Sequence, residues 1–446
     1  MDAIDFSAFK VKKQQYSSDA QSVISHKSLI KKGIWLYFLL LIFEGALRKW
    51  FVPSLAGPLL IVRDPLVLWI IGTAWRRGLI TLNYYSVTMI VIGVISIYTA
   101  FFIGHGSLAV ALYGARILLL HFPLIFIIGQ LFTKDDVIKM GKATLMLSIP
   151  MAVLITLQFY SPQSAWVNRG LGGEGSAGFD GALNYFRPPG TFSFTNGTTL
   201  FFDFVACFVF YFWFNTKAIN RLVLIGATVA LLIAIPFSIS RGLFFQVGIT
   251  ILFTFFGIAF NPKYGFKMIF IIIGTIFVLV LLSFTHYFHN AVEAFTVRFE
   301  TANKSEGGIN GVFLDRFLGG MVEALSGSNK QPFFGYGIGM GTNVGSTILS
   351  GGRYFLISEG EWGRLIGELG PVMGLAVIFL RLTLAIKIFI ASFKSMIGSD
   401  LMPWMLLSFG LLLLAQGGWA QPTSLGFCTL ITGLIIASSQ KVTTGK

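Results

Sequence analysis

The stretch Lys267-Met-Ile-Phe-Ile-Ile-Ile-Gly-Thr-Ile-Phe-Val-Leu-Val-Leu-Leu-Ser-Phe284 carries a single charge, at its first residue, and is otherwise apolar or small. Wound as a helix it reaches about 27 Å, close to the hydrocarbon thickness of a bilayer. Reading outward, segments of the same kind recur on both sides. They fall at about 34–47, 59–75, 85–103, 108–131, 138–159, 198–214, 221–238 and 242–260 before it, and at 365–392, 402–419 and 423–438 after it. The sequence therefore predicts an all-α polytopic membrane bundle of about twelve transmembrane helices.

Composition agrees with that reading. Of 446 residues 55% are hydrophobic and 12% charged, and mean hydropathy is +0.77. A net charge of +14 would suggest nucleic acid for a soluble protein. Here Lys and Arg gather in short connections between apolar segments, as the positive-inside rule requires of cytoplasmic loops, so the bilayer is the expected partner and nucleic acid is not. Cys207 and Cys428 both lie in apolar segments and read as small buried hydrophobes, with no disulfide framework and no zinc spacing. Residues 1–32 are polar and basic, without the apolar core of a signal peptide, and read as a cytoplasmic tail.

The same asymmetry predicts orientation. Arg76-Arg77, then Lys134, Lys139 and Lys142, then Lys217 and Arg221, then Lys263 and Lys267, then Lys394, and finally Lys441 and Lys446 mark alternate loops. Both termini are then cytoplasmic, and the loops 160–197 and 285–364 face the other side. The chain divides into the tail 1–32, helices 1–9 over 33–284, a large extracytoplasmic loop 285–364, and helices 10–12 with a second tail over 365–446. Glu44, Arg63, Asp64, Arg116, His121 and Asp203 lie inside or at the edge of spans, where charge is costly and tends to mark function. Some of them read equally well as internal pairs, such as Glu44 with Arg48 one turn on.

The loop 285–364 and the start of the next helix hold most of the polar chemistry. Pro332-Phe-Phe-Gly-Tyr-Gly-Ile-Gly-Met-Gly341 has alternating glycines, but no Lys-Ser/Thr follows them, so a tight turn with close backbone packing is expected rather than a phosphate loop. Histidines are few and make no ligand pattern with carboxylates, and no cofactor or metal is expected. What remains is a set of outward-facing ions: Arg187, Arg241, Arg316, Arg353, Arg364, Glu359, Glu361 and Glu368. Arginine suits bidentate binding of phosphate oxygens, and a carboxylate can take a proton from an attacking hydroxyl. Trp166, Tyr185, Tyr336, Tyr354 and Trp362 offer apolar faces for sugar rings. Together these point to a diphosphate-linked lipid saccharide; the alternative is a solvated surface held by ion pairs, with Glu361, Arg364 and Glu368 as one stripe.

Four segments in order resemble the O-antigen ligase and O-antigen polymerase family of integral membrane proteins. They are Arg187-Pro-Pro-Gly-Thr-Phe before a span, Ser240-Arg241-Gly242 at a tight turn, Arg316 upstream of Pro332-Phe-Phe-Gly-Tyr-Gly-Ile-Gly, and Glu368-Leu-Gly370 followed by Gly374. The likeness covers roughly residues 140–440. It implies a GT-C-like helical glycosyltransferase of the bacterial inner membrane that moves a glycan, without metal, from an undecaprenyl-diphosphate carrier to an acceptor glycan hydroxyl on the extracytoplasmic face. A chain-length regulator is a further implied partner. Arg241 and Arg316 fall where the family's arginines bind the carrier diphosphate. Where family ligases carry a His-Asn pair, this chain has Glu359-Gly360, which makes Glu359 the expected general base, with Glu361 as competitor, and leans toward polymerisation or exopolysaccharide transfer. Arg187, Glu361, Tyr354 and Trp362 complete the expected substrate contacts. The rival class is a secondary transporter or flippase of lipid-linked saccharides, suggested by twelve spans but not by any convincing repeat between halves.

Overall fold

The computed structural model describes residues 7–80, 83–306, 320–328, 331–352 and 356–440. Its helices, in order, are α1 (Ser7–Ala46), α2 (Ala56–Leu59), α3 (Arg63–Arg76), α4 (Tyr84–Phe102), α5 (Leu108–Arg116), α6 (Phe122–Leu131), α7 (Lys134–Tyr160), α8 (Thr195–Phe214), α9 (Arg221–Phe237), α10 (Arg241–Phe260), α11 (Gly265–Ser283), α12 (His286–Glu306), α13 (Gly320–Ser326), α14 (Asn343–Ser350), α15 (Glu361–Ile397), α16 (Met402–Gln416) and α17 (Pro422–Ser439). Polar residues just ahead of the apolar runs set several starts. Asn83, Ser107, Asn220, Ser240 and Thr342 each accept a backbone N–H of the helix that follows, and Thr133 with Asp136 forms a capping box.

Among the described residues eight helices are long and apolar enough to cross a membrane, or nine if Pro53–Leu59 and Arg63–Arg76, bent by 42°, form one span. The protein is thus a helical, multi-pass membrane protein. The expected twelve exceeds that number because α9 and α16 are apolar but short, and because the segment 34–47 is the end of a helix that starts at Ser7. Short helices can still sit in a bundle whose neighbours cover them, and α16 is buried along most of its length. The centre is α8, whose apolar window is 89% buried, flanked by α17; α11, at 11%, is almost wholly exposed. The stretch that first announces a membrane protein is therefore its most peripheral helix.

Two expectations need correction in detail. The fold is not purely α: β1 (Phe179–Ala182) and β2 (Tyr185–Arg187) pair antiparallel, Phe179 opposite Arg187. The span expected at 365–392 starts at Glu361 and is broken at Gly370, whose φ of 77° and ψ of 171° leave the helix before Pro371. The break is filled by backbone: a Cβ on Gly370 would overlap the Phe333 carbonyl. Facing it, the Tyr336 and Gly337 amides donate to the Gly367 and Glu368 carbonyls, and the Gly341 amide to Glu368 Oε1 at 2.8 Å. Gly335, Gly337 and Gly339 have positive φ and lie against α4, α5 and α15. The alternating glycines are thus a packed turn, as the absence of a following Lys-Ser/Thr leads one to expect.

Candidate functional site

Arg187, Arg241 and Arg298 arrive from three separate elements. Arg187 ends β2, Arg241 opens α10 directly after its cap Ser240, and Arg298 lies on α12. The hairpin is anchored by stacking of Tyr185 on Phe159 of α7 at 4.3 Å, and Tyr160 donates to the Tyr287 carbonyl at the start of α12, so these elements share one edge. Burial first, then the charges of Arg298 and Arg241, pull the Arg187 guanidinium below its ordinary value. Among the described residues each charge acting on Arg187 is of its own sign, and its buried Nε finds no acceptor. Two like charges acting on the Arg187 guanidinium are an electrostatic cost that an anion beside it would relieve.

The turn that delivers Arg241 is itself strained. Ile239 sits at φ 46°, a region where a β-branched side chain is a genuine outlier costing roughly 1–3 kcal/mol. It is buried there, beneath Gly181 of the hairpin, and the Ser240 hydroxyl beside it meets Thr199 Oγ1 at 2.9 Å. Below the arginines the same two helices present phenylalanines. Phe244 and Phe245 of α10 meet Phe295 and Phe299 of α12 with ring centroids 5.7–5.9 Å apart, and Phe244 is 47% exposed.

The other expected site residues are distributed differently. Glu359 is exposed just ahead of α15. Glu361 is buried between Arg364 at 2.9 Å and Arg381 at 2.7 Å, and Arg364 also holds Glu368 at 2.6 Å. Arg381 stacks on Trp419 and donates to the Leu414 and Gly417 carbonyls. Trp362 is buried and donates through Nε1 to the Ala415 carbonyl. Both side chains thus tie α15 to α16. Arg316, Arg353 and Tyr354 lie outside the described residues. The helix that follows Arg316, α13, packs beside the start of α15, where Ala324 lies close to Gly363.

The ionisable residues of the early spans pair internally. Glu44 meets Arg48 at 3.2 Å and Arg63 at 3.3 Å; Asp64 meets Arg116 at 3.0 Å and His121 at 2.9 Å, and His121 accepts from or donates to Tyr37 at 3.1 Å. Asp203 is buried in α8 with one carboxyl oxygen unpartnered among the described residues. No group of three or more His, Cys, Asp or Glu side chains among the described residues could hold a metal ion.

Arg298 is the residue that sequence reasoning left unassigned. A signal was present: Arg241-Gly-Leu-Phe-Phe245 and Phe295-Thr-Val-Arg-Phe299 each set an arginine one turn from a phenylalanine. Comparison with known protein families, with curated proteins and with solved structures returns no match.

Proposed function

We propose that the protein is a metal-independent membrane glycosyltransferase that polymerises or transfers oligosaccharide units from an undecaprenyl-diphosphate carrier to an acceptor sugar hydroxyl. In this reading the chain crosses the bacterial cytoplasmic membrane twelve times, both termini are cytoplasmic and the site faces outward. One observation carries it: α10 and α12 set arginines over a partly exposed phenylalanine seat. A soluble anion would need only the charges, whereas a lipid diphosphate needs a cationic site for its head and an apolar surface for its tail.

The chemistry asked of the residues is limited. The bond between the donor's anomeric carbon and the diphosphate oxygen breaks, its electron pair leaving on the diphosphate, where Arg187, Arg241, Arg298 and Arg316 offset the charge. The acceptor oxygen bonds to that carbon, and its proton passes to Glu359, which is exposed and able to meet a mobile glycan end. A positioned base contributes about 10² to 10⁴-fold to such a step. A transporter or flippase would draw on the broken helices, since broken helices often carry transport sites. The break at Gly370 is occupied by the glycine turn, which weakens that alternative.

The deciding experiment is incubation of the purified protein with an undecaprenyl-diphosphate oligosaccharide. A product ladder indicates a polymerase and a single added unit a ligase; recovery of unreacted donor rejects the transferase.

A further inference from the structure

Arg187 is followed by two prolines, whose fixed φ makes Arg187-Pro-Pro-Gly190 a stiff link, so whatever holds Gly190 also aims Arg187. Gly190 is held from two directions. Gln158 of α7 accepts its amide at 2.8 Å and donates to its carbonyl at 3.2 Å, and Lys49 Nζ, from the turn after α1, donates to the same carbonyl at 2.7 Å. The rest of the link is fixed to the same helix end. The Thr191 hydroxyl donates to the Ile42 carbonyl at 2.6 Å, Arg48 Nη1 donates to Ser193 Oγ at 2.9 Å, and Gly45 lies so close to Phe192 and Ser193 that a Cβ there would overlap their backbone. On the far side Thr198 donates to the Pro188 carbonyl.

A fully buried lysine is an expensive way to hold a glycine carbonyl. We infer that Lys49 is a positioning residue, which through Gly190 and the diproline link aims the Arg187 guanidinium into the arginine cluster and so sets the affinity of that cluster for a lipid diphosphate. The inference rests on the diphosphate reading and extends it to the helix end that the family likeness does not cover. Lys49 also answers to pH. Burial alone brings its ammonium down to about 7; Trp50, whose ring lies 4.6 Å away, carries no charge. The charged groups on the surrounding elements are Glu44 and Arg48 on its own helix end, Glu174 beyond the turn Leu171–Gly173, and Arg187 itself, and none of these is among the causes of its shift. Glu44 is engaged by Arg48 and Arg63. As pH rises through about 7 the ammonium becomes an amine, and its bond to Gly190 loses the charge assistance that roughly doubles its strength.

The test measures binding of undecaprenyl diphosphate to the full-length protein in detergent, together with thermal unfolding. Lys49→Met is expected to weaken binding about tenfold, Lys49→Arg to restore most of it, and Arg187→Ala to match the Met variant. Between pH 6 and 8 the wild-type affinity should fall relative to that of Lys49→Arg, a comparison that removes the probe's own titration. Should Lys49→Met not fold, Thr191→Val, which removes the bond to Ile42 and the weaker contact to Met151 Sδ, takes its place with an expected loss of about threefold. Weak binding by Arg187→Ala beside wild-type binding by Lys49→Met, or by Thr191→Val where it stands in, overturns the positioning role and leaves the cluster intact. Wild-type binding by Arg187→Ala and Arg298→Ala alike overturns the diphosphate reading itself, and the positioning role with it.

Discussion

The arginines of the cluster differ from the buried ion pairs of α15 in what faces them. Arg364 and Arg381 have Glu361 and Glu368, whereas among the described residues the charges felt by Arg187 are those of other arginines. Charge-assisted bonds to a phosphate oxygen are worth about 1.5–3 kcal/mol each, so Arg241→Ala, Arg298→Ala and Arg316→Ala should each weaken donor binding by roughly tenfold to a hundredfold. Arg241→Lys should recover little, because a point charge lacks the planar fork. Titrating each variant with the lipid donor checks this, and wild-type turnover in both Arg241→Ala and Arg316→Ala would reject the assignment. The two glutamates ahead of α15 should separate cleanly. Glu359→Gln keeps size and exposure but cannot accept a proton, so it should fold, bind donor and lose transfer at least about a hundredfold. Glu361→Gln removes the countercharge of two buried guanidinium groups and should instead cost about 3–5 kcal/mol of stability, read as a lowered melting temperature. A stable but inactive Glu361→Gln beside an active Glu359→Gln would transfer the base to Glu361.

At the scale of elements, the join between the glycine turn and the broken helix α15 is the most constrained. Gly370 has a positive φ and no room for a side chain against Phe333, while the Gly341 amide and Arg364 together hold the Glu368 carboxylate. Gly370→Ala should therefore both strain the backbone and push the turn away, at about 1–3 kcal/mol for the backbone alone. Limited proteolysis should then cut within 331–341, a segment that stays closed in the wild type. Unchanged protease resistance would mean that the turn is held by its contacts with α4 and α5 without help from α15. The hairpin and α12 both meet α7 at Tyr160, whose ring contacts Tyr185 and Tyr287 and whose hydroxyl donates to the Tyr287 carbonyl.

For the molecule as a whole, the orientation drawn from Lys and Arg asymmetry predicts which surfaces an impermeant thiol reagent reaches. Cys207 and Cys428 are both buried, so single cysteines report without interference. Gly175→Cys and Ser328→Cys should be labelled in intact cells and Ser399→Cys only after lysis. Labelling of Ser399→Cys without lysis would reverse the orientation and place the arginine cluster on the cytoplasmic side. The packing gradient across the bundle fits a membrane setting: α8 is enclosed by protein, whereas α11 turns an almost complete apolar surface outward.

Much of this was legible in the residues alone. Length and apolarity are local properties, so the helical membrane class and most helix positions could be read directly, and the packed glycine turn followed from what did not come after its glycines. Arg187 and Arg241 stood out in the sequence because each lies at a break in the apolar pattern, where a charge needs a reason. Their meeting with Arg298 was not legible, since it depends on how the hairpin, α10 and α12 come together across more than a hundred residues of chain. Nor was the fate of Glu361, Arg364 and Glu368. Their helical spacing shows that they share a stripe, but a stripe faces solvent or protein according to what packs against it. Arg381, twenty positions from Glu361 and beyond the kink at Gly370, is what makes that stripe an interior one. The sequence by itself determined what kind of protein this is, because membrane insertion is decided segment by segment. Tertiary structure alone decided which charges neutralise one another and which stand beside charges of their own sign, because that balance depends on neighbours brought together through space.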